Sequence, residues 1–138
     1  MSGNDSPQSM PLVSSPFAEF IGITVLAAEA GKARCQITLQ AHHLNNGGRV
    51  HGGVLTALAD TAAGLAVRSL RPEGQQSATT DLSIAFIRPP LGSSIIADAG
   101  VIHAGRRLYR VEISLFSSDK LVARTTATFM LTANPSGA

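Results

Sequence analysis

The sequence is poor in the residues that build disulfide, metal and redox sites. Cys35 is the only cysteine among 138 residues, so no intrachain disulfide can form. No spacing of Cys and His resembles a zinc site, and we expect neither a metal nor a cofactor. Tryptophan is absent and tyrosine occurs once, which predicts an aliphatic core. This composition fits a reducing compartment, and we expect a cytoplasmic protein.

Long apolar runs and blocks of one charge are also missing. The most apolar stretch, residues 54–67, is interrupted by polar side chains and is shorter than the roughly 20 residues that cross a bilayer. Residues 1–16 lack the basic and apolar regions of a signal peptide. The net charge is +2 and the arginines are dispersed, which argues against a nucleic-acid partner. A small polyanionic ligand would suit this modest basic excess.

The length and the hydropathy pattern predict one domain over residues 17–132, between a disordered tail at 1–16 and a flexible tail at 133–138. A short helix is expected at 17–21. An Ala- and Leu-rich stretch without proline predicts the main helix over 53–70, ended by the breaker cluster 71–74. The predicted strands cover residues 23–30, 33–39, 77–87, 94–103, 107–117 and 121–132. This order indicates an α+β fold in which one antiparallel sheet wraps around the long helix.

One acid, Asp60, lies inside the otherwise apolar main helix. Burying an ionised carboxylate without a partner costs several kcal/mol, so an acid kept there is either paired or used in chemistry. A buried ion pair with an arginine and the capping of a neighbouring loop are the structural alternatives to a catalytic role.

A glycine-rich stretch, residues 45–53, leads into this helix. The first turn of a helix presents unpaired N–H groups, and glycine lets a substrate approach them closely, so Gly52 or Gly53 could polarise a carbonyl. A tight turn alone would also explain both glycines.

Gly52 and Asp60 cannot act on one group within one chain. Asp60 lies eight residues beyond Gly52, which on an ideal helix is about 12 Å along the axis and about 80° around it. A second helix packed antiparallel across a two-fold axis would bring one Asp60 towards the other chain's Gly52. Thr56, Asp60 and Gly64 form a stripe of polar and small residues that we predict to be the interface. A catalytic Asp60 therefore requires at least a homodimer.

The histidines divide into two groups. His42 and His43 precede the loop and are predicted to lie at the surface, without a metal role. His103 is likewise expected to have no special role. His51 adjoins Gly52, where its imidazole could hold the loop or donate to a substrate carbonyl. The sequence signatures of serine hydrolases, dinucleotide-binding folds and P-loops are absent.

These residues together resemble the hotdog-fold acyl-CoA thioesterases, specifically the PaaI-type branch of phenylacetate degradation. The resemblance rests on Asn45, on the run from His51 to Gly53, and on residues 58–62 around Asp60. Residues 81–89 and 105–108 are similar to that family's strand and hairpin sequences. The resemblance implies a sheet wrapped around a central helix, dimers with a continuous double sheet, and a homotetramer built from two dimers.

The resemblance also implies a role for each matching residue. Asp60 would be the catalytic carboxylate, acting as a general base on water or as a nucleophile that forms an anhydride. Gly52, with His51 beside it, would polarise the thioester carbonyl from the facing subunit. Asn45 would orient the carbonyl or the attacking water, and Thr79 would assist the carboxylate.

Further residues are candidates for contact with coenzyme A. Gly53 would allow the substrate to approach the backbone closely. Arg88, Arg106 and Arg107 could pair with the phosphates, because guanidinium groups match phosphate oxygens in a fork geometry. The alternative is that these arginines lie at strand ends, are simply solvated and bind no phosphate.

The implied reaction is hydrolysis of an acyl-CoA, with a phenylacetyl-type or medium-chain acyl group, to a free acid and CoA. A hotdog dehydratase or hydratase is one alternative, but neither D-x-N-P-x-H nor H-F-P-G-H occurs in the sequence. A non-catalytic acyl-CoA-binding protein is the other. Such a regulator is expected to carry a DNA-binding segment, for which the residues before Phe17 are too few.

Overall fold

The computed structural model describes residues 15–133, in which two α-helices and six β-strands occur. In chain order these are α1 (Pro16–Ile21), β1 (Ile23–Glu29), β2 (Lys32–Thr38), α2 (Gly52–Arg68), β3 (Gln75–Phe86), β4 (Ser94–Ala104), β5 (Leu108–Ser117) and β6 (Lys120–Ala133). The predicted order and types of the elements agree with the structure, and their ends differ by one or two residues at most.

The predicted tails fall mostly outside the described range, which leaves out residues 1–14 and 134–138. Ser15 and Pro16, assigned to the N-terminal tail, belong instead to the start of α1. The Ser15 side chain caps that helix by accepting a hydrogen bond from the Ala18 N–H at 3.0 Å. Ala133, assigned to the C-terminal tail, is the last residue of β6.

All six strands join one antiparallel sheet, in the order β1-β2-β4-β5-β6-β3. Helix α2 packs on one face of this sheet and contacts every strand. The alternation is clearest in β5, where Val111 and Ile113 are fully buried while Arg110 and Glu112 face the other side. The core is therefore a single aliphatic layer between the sheet and α2.

Helix α2 begins at Gly52 with His51 as its N-cap and ends at Arg68. It has buried residues on several sides because the sheet curves around it; these are Leu55, Leu58, Ala59, Ala62, Ala63, Leu65, Ala66 and Val67. Within residues 15–133, no helix is long and apolar enough to cross a membrane.

Strand β3 lies at one end of the sheet and pairs with β6 alone. Its other edge has no backbone partner among the residues that the structure describes, over a strand of 12 residues. A β-bulge between Thr79 and Asp81 shifts the side-chain alternation, so Thr79 before it and Leu82 after it both face α2. A long unpaired edge of this kind is a template for pairing with another strand.

The prediction of a surface position is wrong for His43, which is 2% exposed. Its Nε2 lies 2.7 Å from the Ile21 carbonyl oxygen, and its Nδ1 accepts from the Gln40 N–H at 2.9 Å. The His43 carbonyl also accepts from the His51 N–H at 2.9 Å. The imidazole can be buried because both of its ring nitrogens form hydrogen bonds with backbone groups in place of water. One of these partners, Ile21, is distant in the sequence, so the adjacent histidines alone do not reveal the arrangement.

Replacing His43 by alanine is expected to lower the free energy of unfolding by about 2–3 kcal/mol, because the Ile21 carbonyl and the Gln40 N–H would lose their partner. Urea denaturation followed by circular dichroism measures the change. His42→Ala is the matched control, since His42 is exposed, and its loss should stay within about 0.5 kcal/mol. Equal losses in the two variants would contradict this role of His43.

Candidate active site

The Asp60 side chain emerges midway along α2 and is half-buried. The Thr79 hydroxyl, brought over the helix by β3, donates to Asp60 Oδ1 at 2.8 Å. This hydrogen bond fixes the carboxylate and leaves its second oxygen, Oδ2, for another group. The structure thus places Thr79 next to Asp60, where the resemblance implied that it would assist.

The two structural alternatives for Asp60 find no support in the geometry. The ion pairs found within residues 15–133 join Arg34 to Asp98 and Arg124 to Glu112, both at the exposed surface. Thr79 is the one side chain in that range that hydrogen-bonds to Asp60, and the carboxylate caps no loop there. Asp60 is therefore an acid without a cationic partner in the described part of the chain.

Asn45 organises the loop in front of α2. Its Oδ1 accepts from the Gly47 N–H at 2.8 Å and from the Arg49 N–H at 3.1 Å. Leu44 and Val50 form an isolated β-bridge that closes the same loop. The side-chain oxygen is thus engaged by the backbone, while the amide NH2 group has no partner within residues 15–133 and can donate to a ligand.

The first turn of α2 distinguishes Gly52 from Gly53. The Gly53 N–H donates to His51 Nδ1 at 2.8 Å, so it already serves the helix cap. Among the described residues, the Gly52 N–H makes no hydrogen bond. Because His51 accepts through Nδ1, a neutral imidazole carries its proton on Nε2 and can donate from there. Of the two glycines considered from the sequence, Gly52 has the available donor.

Gly52 and Asp60 open onto different surface depressions. One depression, of about 440 Å³, is lined by Gly53, Thr56, Ala57, Asp60, Thr79 and Leu82. The other, of about 330 Å³, has a wall that includes Asn45, Arg49, Gly52, Leu55, Phe86 and Arg88. Gly52 and Asp60 of one chain therefore face separate volumes, as the helical spacing predicted.

The predicted phosphate-binding arginines do not form one cluster within a chain. Arg88 lines the depression of Gly52, near the end of β3. Arg106 and Arg107 line a third depression of about 840 Å³ at the start of β3, beside Gln75 and Glu73.

Phe86 was not identified from the sequence as a site residue, although it lies within the segment 81–89 used for the resemblance. Its ring contacts Gly52, 34 residues earlier in the chain. Only the packing of β3 along α2 brings them together, so spacing alone could not have revealed the contact.

Comparisons with known proteins agree with this architecture. Residues 47–123 match the model of the family described as the thioesterase superfamily. A Halobacterium salinarum protein is 37% identical over 125 residues, which cover 83% of this chain and 82% of that protein. The acyl-coenzyme A thioesterase PaaI of Escherichia coli K12 is 34% identical over 99 residues, 70% of this chain and 69% of that protein.

A solved structure points the same way. A conserved protein of Pseudomonas aeruginosa has a TM-score of 0.85 and 33% sequence identity, covering 92% of this chain and all of that one. The chain therefore belongs to the thioesterase superfamily, as a hotdog-fold thioester hydrolase of the PaaI type.

Proposed function

We propose that the protein hydrolyses acyl-CoA thioesters to a free acid and coenzyme A, with phenylacetyl-type or medium-chain acyl groups as substrates. The main support is Asp60, a carboxylate with no cationic partner among the described residues, which Thr79 orients at the wall of an open depression. The E. coli relative, whose name specifies acyl-coenzyme A, supports the choice of thioester.

The proposed chemistry uses one donor and one carboxylate. The Gly52 N–H, at the positive end of the α2 dipole, stabilises the negative charge that develops on the thioester oxygen. Asp60 either removes a proton from the attacking water or attacks the carbonyl itself to give an anhydride that water then opens. In both routes the C–S bond breaks and one water molecule is consumed. The proton that the water gives up goes to the departing sulfur, so the products are the free acid and the CoA thiol. The His51 Nε2–H and the Asn45 amide are further donors beside Gly52.

We propose that each site is completed by two subunits through the open edge of β3. Thr79 lies over Asp60 and Phe86 lies over Gly52, so β3 runs antiparallel to α2. The β3 strands of two subunits would pair edge to edge in antiparallel orientation, with the two-fold axis between Leu82 and Ser83. The partner's Thr79 would then lie opposite Phe86. The partner's Asp60 would then approach Gly52, which joins the two depressions into one site.

The same pairing would gather the phosphate-binding candidates. The start of the partner's β3 would lie next to the end of this chain's β3, and Arg88 lies two residues beyond that end. Arg106 and Arg107 lie near that start, so those of the partner subunit would flank Arg88. We propose that this basic edge holds the phosphates of the CoA nucleotide.

We further propose that two such dimers form a homotetramer and that the enzyme acts in the cytoplasm. Coenzyme A enters as part of the substrate, and the proposed chemistry uses no metal or other cofactor. Each of its steps is assigned to a side chain or backbone group of the protein.

Release of free thiol from a panel of aryl-, short-, medium- and long-chain acyl-CoAs tests the proposed function. We expect phenylacetyl- or hexanoyl-CoA to give the highest kcat/KM. Cys35 should add no background, because it is fully buried and burial raises the pKa of its thiol to about 11. Tight binding of these compounds without any thiol release would instead indicate an acyl-CoA-binding protein.

A further inference from the structure

The edge of the Phe86 ring lies against the first residue of α2. A Cβ atom added to Gly52 would be 3.2 Å from Phe86 Cζ, closer than ordinary van der Waals contact, and 3.4 Å from Cε1, at its lower limit. Gly52 has a helical backbone, so its conformation does not require glycine. A side chain at this position would therefore require the Phe86 ring to shift by a few tenths of an ångström.

Phe86 also has much uncovered apolar surface. Phe86 is 55% exposed and the following residue, Ile87, is 45% exposed. Together with Val50 and Leu55 they contribute apolar lining to the depression that Gly52 also lines. An apolar wall with a few convergent polar groups is typical of a small-molecule site.

We infer that Phe86 is a substrate-contacting residue whose ring packs on the thioester end of the pantetheine arm while the carbonyl oxygen accepts from Gly52. The inference rests on the proposed function and deepens it, since it assigns one part of the substrate to one depression.

The charges around α2 determine which part of the substrate meets the ring. Arg49 and Arg88 line the depression of Phe86, whereas Asp60 is the charged residue in the other depression. The polyphosphate end of CoA is attracted by the former and repelled by the latter. The pantetheine arm therefore approaches Gly52 along Phe86, and the acyl group extends into the partner's Asp60 depression, beside Ala57 and Leu82 of that subunit. Phe86 thus contacts the segment that all acyl-CoA substrates share.

Phe86→Ala tests this assignment with acetyl-, hexanoyl- and phenylacetyl-CoA. We expect kcat/KM to fall about tenfold, by the same factor for all three, because the lost contact is to the shared segment. Leu91→Ala is the control, since Leu91 is 88% exposed and lies outside both depressions. Unchanged kinetics, or a loss confined to one acyl class, would overturn the inference.

Binding of CoA itself separates this inference from the proposed function. Isothermal titration of Phe86→Ala with CoA should show about tenfold weaker binding than the wild type, whether or not the wild type hydrolyses any thioester of the panel. Equal affinity for CoA in the two proteins would overturn the inference even if hydrolysis is observed.

A double-substitution cycle tests the contact between the ring and Gly52. Gly52→Ala keeps the N–H but pushes its new Cβ against Phe86, and we expect about a tenfold loss of kcat/KM. In the double variant that also carries Phe86→Ala, the added methyl group meets no ring. The loss of kcat/KM in the double variant should therefore stay near tenfold. Losses that multiply to about a hundredfold would show that the two substitutions act independently, and would contradict a Gly52→Ala loss caused by displacement of the substrate-contacting ring.

Discussion

Replacing Asp60 by asparagine is expected to abolish thioester hydrolysis, with kcat lowered about a thousandfold. The amide has nearly the shape of the carboxylate, and its oxygen can still accept from the Thr79 hydroxyl, which donates at 2.8 Å in the structure. The fold and the oligomer should therefore persist. What disappears is the basic and nucleophilic oxygen, whichever of the two chemical routes the enzyme uses. Thiol release from the best substrate of the panel measures the effect.

Thr79 provides the matched control for this variant. Thr79→Ser keeps the hydroxyl that donates to Asp60 and should retain most of the activity. Size-exclusion chromatography with light scattering checks that Asp60→Asn assembles like the wild type. Full residual hydrolysis in a correctly assembled Asp60→Asn protein would remove this carboxylate from the mechanism.

The fold was largely predictable because local sequence patterns determine it. The proline-free apolar helix, the alternating strands and the breaker clusters each depend on neighbouring residues, and their ends were predicted within two residues. The turn between β1 and β2 is an example: it was expected at residues 31–32 and lies one residue earlier, at Ala30 and Gly31. Both residues have positive φ, 54° and 82°, as a type I′ hairpin turn requires.

The site was predictable only in part because several of its contacts are long-range. The helical spacing showed that Gly52 and Asp60 face apart, and the resemblance indicated Thr79. Neither showed that the cap at His51 engages Gly53, which leaves Gly52 as the available donor. The contact of Phe86 with Gly52 likewise depends on how a distant strand lies along the helix. Such contacts have no periodicity in the sequence.

Replacing Gly52 by proline should remove the proposed carbonyl donor and leave α2 in place. Gly52 is the first residue of the helix, where proline is tolerated because its N–H has no intrahelical partner. The preceding residue, His51, has φ −64° and ψ 133°, an extended conformation that a following proline favours. We expect a loss of kcat of about a hundredfold or more, as for other oxyanion donors. The new ring would also press on Phe86, which adds to the loss.

Mixed dimers of these two inactive chains test the shared site most directly. In a hybrid of Asp60→Asn and Gly52→Pro, one site combines the intact Gly52 of the first chain with the intact Asp60 of the second. The other site carries both substitutions. After complete exchange at a 1:1 ratio, confirmed by native mass spectrometry, half of the dimers are hybrids and about a quarter of all sites should be active. We therefore expect about 25% of wild-type thiol release, and no recovery in confirmed hybrids would contradict a site shared between two subunits.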